Sequence, residues 1–232
     1  MESNPGLRRF GPSASPRRQP HSRHHARNSS RHIHVGFDLR RQAVGLERLR
    51  DQARWMHGAR GSTGTPEDDW PSFDLIKPIT KIVLTNRDHV RDAELFRTRC
   101  AARLVAGTDE VTQLAPIAID EAVREEDLIA GALRVIHLPG KSAGEIGLYF
   151  DPAHHAVSRE MGGILLLGDA IIGNPPGALS LIPELKLDDP SKLKRSLRKL
   201  LDYDFDVLLL CDGQSVLRGG KLKVAEFLNT LA

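Results

Sequence analysis

The feature that most constrains this chain is how its apolar runs end. Lys81 to Thr85, Leu133 to Leu138, Gly163 to Leu167 and Asp206 to Cys211 are short runs rich in Val, Ile and Leu, and each stops at a charged or glycine-containing turn. Runs of that length read as buried strands, since core helices need about 10 to 12 residues and a bilayer span needs roughly 20. The turns that follow are Asn86-Arg87-Asp88-His89, Pro139-Gly140-Lys141-Ser142-Ala143-Gly144-Glu145, Gly168-Asp169-Ala170 and Asp212-Gly213. Layered α/β domains gather their functional groups where strands end, so these four turns are expected to share one rim.

Between the strands the pattern becomes helical. A helix is predicted from an N-cap at Asp88, with Val90, Ala93, Leu95, Phe96, Cys100 and Leu104 on one side. Glu145 to Phe150 adds a strand, making a meander with its two neighbours. Asp189-Pro190 marks a second helix start, an N-cap followed by proline at the first helical position. Leu193, Leu197, Leu200 and Leu201 form its apolar face, opposite a basic face of Lys192, Lys194, Arg195, Arg198 and Lys199. Leu222 to Leu231 reads as a closing helix. His137 is expected at a strand edge, and His154-His155 in an exposed turn.

Charge divides the chain. Residues 1 to 60 hold 13 Arg and no Lys against four acids, whereas the remaining 172 residues carry 20 basic groups against 26 acids. Residues 1 to 35 are therefore expected to form a disordered Arg/His-rich arm, and 36 to 70 a weakly structured helix and linker. Residues 71 to 232 make the folded domain. His24, His25, His32 and His34 belong to the arm and lack the fixed geometry of a metal site. The basicity resides in the arm, so nucleic acid is not the expected partner. Two cysteines, Cys100 and Cys211, give no disulfide framework, and the apolar runs are too short for a membrane helix. A cytoplasmic setting is the expectation.

From about Ile79 to Leu231, the order of the four turns resembles the metallo-β-lactamase superfamily, glyoxalase II-like hydrolases included. That family reads Thr-His-x-His-x-Asp-His, Leu-Pro-Gly-His-(Ser/Thr)-x-Gly-(Ser/Glu), Gly-Asp-(Ala/Thr) and Gly-His-Gly. Here the corresponding stretches are Thr85 to His89, Leu138-Pro139-Gly140-Lys141-Ser142-Ala143-Gly144-Glu145, Gly168-Asp169-Ala170 and Cys211-Asp212-Gly213. The resemblance implies an α/β fold of sandwich type, the C-terminal portion of an αββα architecture. Its N-terminal half-sheet is incomplete in the sequence before residue 71, and an incomplete sandwich exposes apolar surface, which suggests either partial truncation or a homodimer.

The resemblance also implies two metals, but the ligands are altered. The two leading histidines of the first motif are absent, Lys141 replaces the third and Asp212 the last. At most one divalent metal, manganese, iron or zinc, fits Asp88, His89, Asp169 and Asp212; three carboxylates and one imidazole suit a harder cation better than zinc. The rival account needs no metal: the ammonium of Lys141 supplies the missing positive charge. Under the first account Asp88, Asp169 and Lys141 serve hydrolysis of an acyl or ester substrate. Under the second the chain is a non-catalytic binding or scaffold protein. In both, the partner is a small molecule, with Asn174, Pro175 and Pro176 as a wall of its pocket.

Overall fold

The computed structural model describes residues 79–90, 93–155 and 162–231. The arm, the 36–70 segment, the boundary at 71, the N-terminal half-sheet and the histidines at 24, 25, 32 and 34 lie outside the described residues. Two sheets face each other. In the first, β1 (Lys81–Leu84), β2 (Arg103–Gly107) and β3 (Glu121–Val123) run parallel in that order. In the second, β4 (Leu128–Ile129), β5 (Leu133–His137), β6 (Ile146–Phe150) and β7 (Gly163–Leu167) are antiparallel neighbours, and β8 (Phe205–Leu210) joins β7 in parallel.

The two-residue period of the strands sorts the core into layers. Val83, Val105, Val135 and Leu148 fill the space between the sheets. Ile82, Leu84, Leu104 and Ala106 point the other way, onto Phe96 of helix α1 (Ala93–Cys100). On the far side of the second sheet, Ile136, Leu165 and Leu208 meet Leu193 and Leu197 of α2 (Pro190–Leu197) and Val224 and Leu228 of α3 (Gly220–Thr230). Helix, sheet, sheet, helix is thus dictated by which strand face each apolar residue occupies. Strands covered on both faces need no polar alternation, which is why they read as continuous apolar runs.

Three expectations need correction in detail. The first helix ends at Cys100 rather than Leu104, because Ala101 takes a left-handed backbone (φ 51°) and Leu104 enters the same core from β2. Strand β6 begins at Ile146, after Glu145. Asp88 caps no helix: Asn86 accepts from the Asp88 amide at 3.0 Å, opening a 3₁₀ turn over Arg87–His89. The start at Asp189-Pro190 stands as expected, with the Asp189 carboxylate accepting from the Lys192 amide at 2.8 Å.

Candidate functional site

Strand geometry brings the motif turns together. β7 and β8 are parallel with Leu167 opposite Leu210, so Asp169 and Asp212 each lie two residues beyond paired positions at the same sheet edge. The end of β1 joins that rim where the Ile146 amide donates to the Thr85 carbonyl at 2.9 Å. Gly168 lets the strands approach, since a Cβ there would lie 2.5 Å from Thr85 Oγ1.

The loop carrying Lys141 is held from two sides. Gly140 takes φ +134°, and a Cβ on it would fall 2.3 Å from the Leu193 amide nitrogen, so only glycine allows α2 to pack there. On the other side stands Glu110, fully buried. Its Oε1 accepts from the Ser142 hydroxyl and from the Arg87 amide (2.9 Å), and its Oε2 from the Gly144 amide (3.0 Å). One carboxylate therefore ties the Lys141 loop to the turn after β1. Sequence reasoning missed Glu110 because it sits in an irregular segment outside every motif.

Within this frame Lys141 is 1% exposed, and its ammonium donates to Asp88 Oδ2 at 2.5 Å and Asn86 Oδ1 at 3.1 Å. Asp169 Oδ2 lies 3.6 Å away and also accepts from Asn86 Nδ2 at 3.4 Å. The other oxygen of Asp169 is 3.2 Å from His89 Nε2, and His89 Nδ1 is 2.7 Å from the Thr85 hydroxyl. An assignment satisfying both ring nitrogens has Nε2–H donating to Asp169 and Nδ1 accepting from Thr85. Asp88, His89, Lys141 and Asp169 thus form one network.

Glu145 lies behind Asp169. Its Oε1 accepts from the Ala170 amide at 2.8 Å, while Oε2 is buried without a hydrogen-bond partner. Burial, and next the charge of Asp169, push this carboxyl up to about 8, so it holds a proton at neutral pH. A glutamate closing the Lys141 motif was visible in the sequence, but its burial was not.

In front of the network opens a cavity of about 490 Å³. Asp88, His89, Asp169 and Asp212 line one side; Ile182, Leu185 and Leu187 line another. At its edge Arg87 forks onto Asp188, with Nη1 at 2.8 Å and Nη2 at 2.5 Å. That bond holds the guanidinium pKa above its ordinary value and the Asp188 carboxyl below its own. Asn174, Pro175 and Pro176 are exposed and do not line this cavity. The Gly173 amide bonds to the Asp212 carbonyl (2.8 Å) and the Gly177 amide to Gln214 Oε1 (2.9 Å), fastening their loop to the turn after β8. His137 Nε2 meets the Ala143 carbonyl at 2.8 Å, and exposed His154 pairs with Asp151 at 2.7 Å.

The donor set does not fit a metal. Among the described residues, no group of three or more His, Cys, Asp or Glu side chains is arranged to hold one. The reason lies in the contacts: an ammonium, which has no lone pair, occupies the space between Asp88 and Asp169, and His89 directs Nε2 at Asp169.

An αββα sandwich whose strand ends carry these motifs defines a class, and comparison with known proteins agrees. Residues 63–231 match the family model described as the metallo-beta-lactamase superfamily, and the chain belongs to that superfamily. Solved structures with the same fold include a metallo-beta-lactamase from Pontibacter korlensis, 17% identical, with a TM-score of 0.54 over 70% of this chain and 73% of that one. TTHA1623, solved in a di-iron-bound form, is 19% identical with a TM-score of 0.53 over 69% and 84%. BJP-1, a subclass B3 enzyme of Bradyrhizobium japonicum, is 17% identical with a TM-score of 0.51 over 70% and 75%. No curated protein matches the chain significantly. No helix among the described residues is long and apolar enough to cross a membrane.

Proposed function

We propose that this chain is a metal-free member of the superfamily, a small-molecule-binding protein in which the Lys141 ammonium stands in for the metal charge. The observation that carries the proposal is the seat of Lys141, fully buried against Asp88 and Asn86 with Asp169 just beyond. Clustered carboxylates repel, and a fixed internal cation relieves that repulsion without a dissociable ion. Such an ammonium also opposes entry of a second cation. The hydrolytic reading keeps one supporting observation, that Asp88, His89, Asp169 and Asp212 all face the same cavity.

Metal analysis by mass spectrometry separates the two. Wild-type protein, purified and then equilibrated with manganese, iron(II) or zinc, is expected to retain far less than one equivalent. Lys141→His, which replaces the ammonium with a lone-pair donor, is expected to retain more. About one tightly held metal per wild-type chain would overturn the proposal.

A further inference from the structure

We infer that Glu110 is the positioning residue of this site, the group that holds the Lys141 ammonium against Asn86 and Asp88. The inference rests on the reading of Lys141 as the resident cation and adds what keeps that cation in place. Glu110 is fully buried and does not line the cavity, so it acts through its neighbours rather than on a ligand.

Its hydrogen bonds fall on both halves of the Lys141 contact. Oε1 accepts from the amide of Arg87 (2.9 Å), the residue between the two acceptors Asn86 and Asp88, and from the hydroxyl of Ser142, the residue after the donor. Oε2 accepts from the Gly144 amide at 3.0 Å, two residues farther along the same loop. A carboxylate taken out of water is tolerated where protein donors replace the solvent, and both oxygens have them here. One side chain thereby fixes the donor loop and the acceptor turn to a common point, although Lys141 is 55 and 53 positions from Asn86 and Asp88. A lysine stem is flexible, so its ammonium keeps two acceptors only where both ends of the contact are placed.

The backbone around Glu110 is shaped for this approach. A Cβ on Gly144 would fall 2.3 Å from the Glu110 amide nitrogen, and one on Gly107 would fall 2.2 Å from the Gly144 carbonyl oxygen. Glycine at both positions lets the two segments touch. Gln113, in the same 3₁₀ stretch Thr108–Leu114, accepts from the Arg87 guanidinium. Arg87 is therefore held at its amide by Glu110 and at its side chain by Gln113 and Asp188. On the other flank, the amides of Asp188 and Asp189 bond to the carbonyls of Lys141 (3.2 Å) and Gly140 (2.8 Å). Those bonds hold the loop against the start of α2, and Glu110 ties it to the turn that presents Asn86 and Asp88.

The test follows the Lys141 ammonium itself, by nitrogen-15 NMR of the lysine side chains in the full chain, its signal assigned by loss in Lys141→Arg. Wild type is expected to show a slowly exchanging Lys141 ammonium. Glu110→Gln keeps the volume but sets an amide NH2 where one oxygen accepted. It is expected to speed that exchange about tenfold or more, as for a lost hydrogen bond to a charged group. Ser142→Ala removes one tether and leaves the carboxylate, so a smaller rise is expected. Val224→Ala truncates the buried core of α3 and is expected to leave the Lys141 rate unchanged. An unchanged rate in Glu110→Gln or, where that variant does not fold, in Ser142→Ala would overturn the inference. An equal acceleration in Val224→Ala would overturn it too, since exchange would then follow overall stability. Metal content of the same samples keeps the two proposals apart: a metal-free wild type whose Lys141 rate ignores Glu110 sinks only the positioning role, while a stoichiometric metal sinks the reading beneath it.

Discussion

Two ion pairs leave adjacent residues of one 3₁₀ turn and differ in surroundings. Asp88 pairs with the fully buried Lys141 while its own side chain stays 62% exposed, and Arg87 turns outward to Asp188 at the cavity edge, where the side chains are 29% and 43% exposed. The outer pair has the better geometry, a two-pronged fork. The inner pair nevertheless decides more, because an ammonium removed from water must keep its partners, whereas separated surface charges are rehydrated. Geometry sets the direction of these contacts, and burial sets their worth.

Lys141→Met breaks the inner arrangement most severely. It leaves mainly Asp169, 15% exposed, without that cation, because Asp88 at 62% exposed is rehydrated, and a loss of up to about 3 kcal/mol in urea unfolding is expected. A stability close to wild type would show that the ammonium adds little and that the two pairs are equivalent.

Glu145→Gln sharpens the inner half by pH. The native carboxyl titrates at about 8 against an ordinary value of 4.5, so the folded state binds the extra proton between those values. Wild-type stability from this group is complete below about pH 4.5 and is lost as pH rises through about 8. The amide mimics the protonated acid, so melting temperatures of the variant are expected to lack that decline and to exceed wild type above pH 8. An unchanged pH profile would mean that Glu145 is ionised in the folded protein.

Smallest is the outer pair. Arg87→Met or Asp188→Asn is expected to cost about 1 kcal/mol or less, and the cost is expected to shrink in high salt. A salt-insensitive loss as large as that of Lys141→Met would erase the distinction between rim and interior.

Much of the fold was legible because apolar runs report burial directly. β5, β7, β8 and the Asp189-Pro190 helix start follow from composition and turn chemistry within a few neighbouring residues. The short strands β3 and β4 were not, having three and two residues and polar positions among them. Nor was β2, whose Leu104 satisfied the helical spacing of the preceding segment. At the site, Asp88, His89, Lys141 and Asp169 could be named because each follows an apolar run. Glu110 could not, since nothing in Asp109-Glu110-Val111 indicates that its carboxylate braces two distant loops.

The sequence by itself determined the layered architecture, the glycine at position 140 and the placing of Lys141 and Asp212 in turns that follow apolar strands. These are properties of local pattern and residue chemistry. Only the tertiary structure decided that Asn86 takes the capping role and frees Asp88, that Lys141 is buried on it, and that the Asn174-Pro175-Pro176 loop lies off the cavity. Side-chain partners depend on where residues 50 or 80 positions apart meet in space, and solvent exclusion, which fixes the energy of those meetings, belongs to the assembled core rather than to any segment of it.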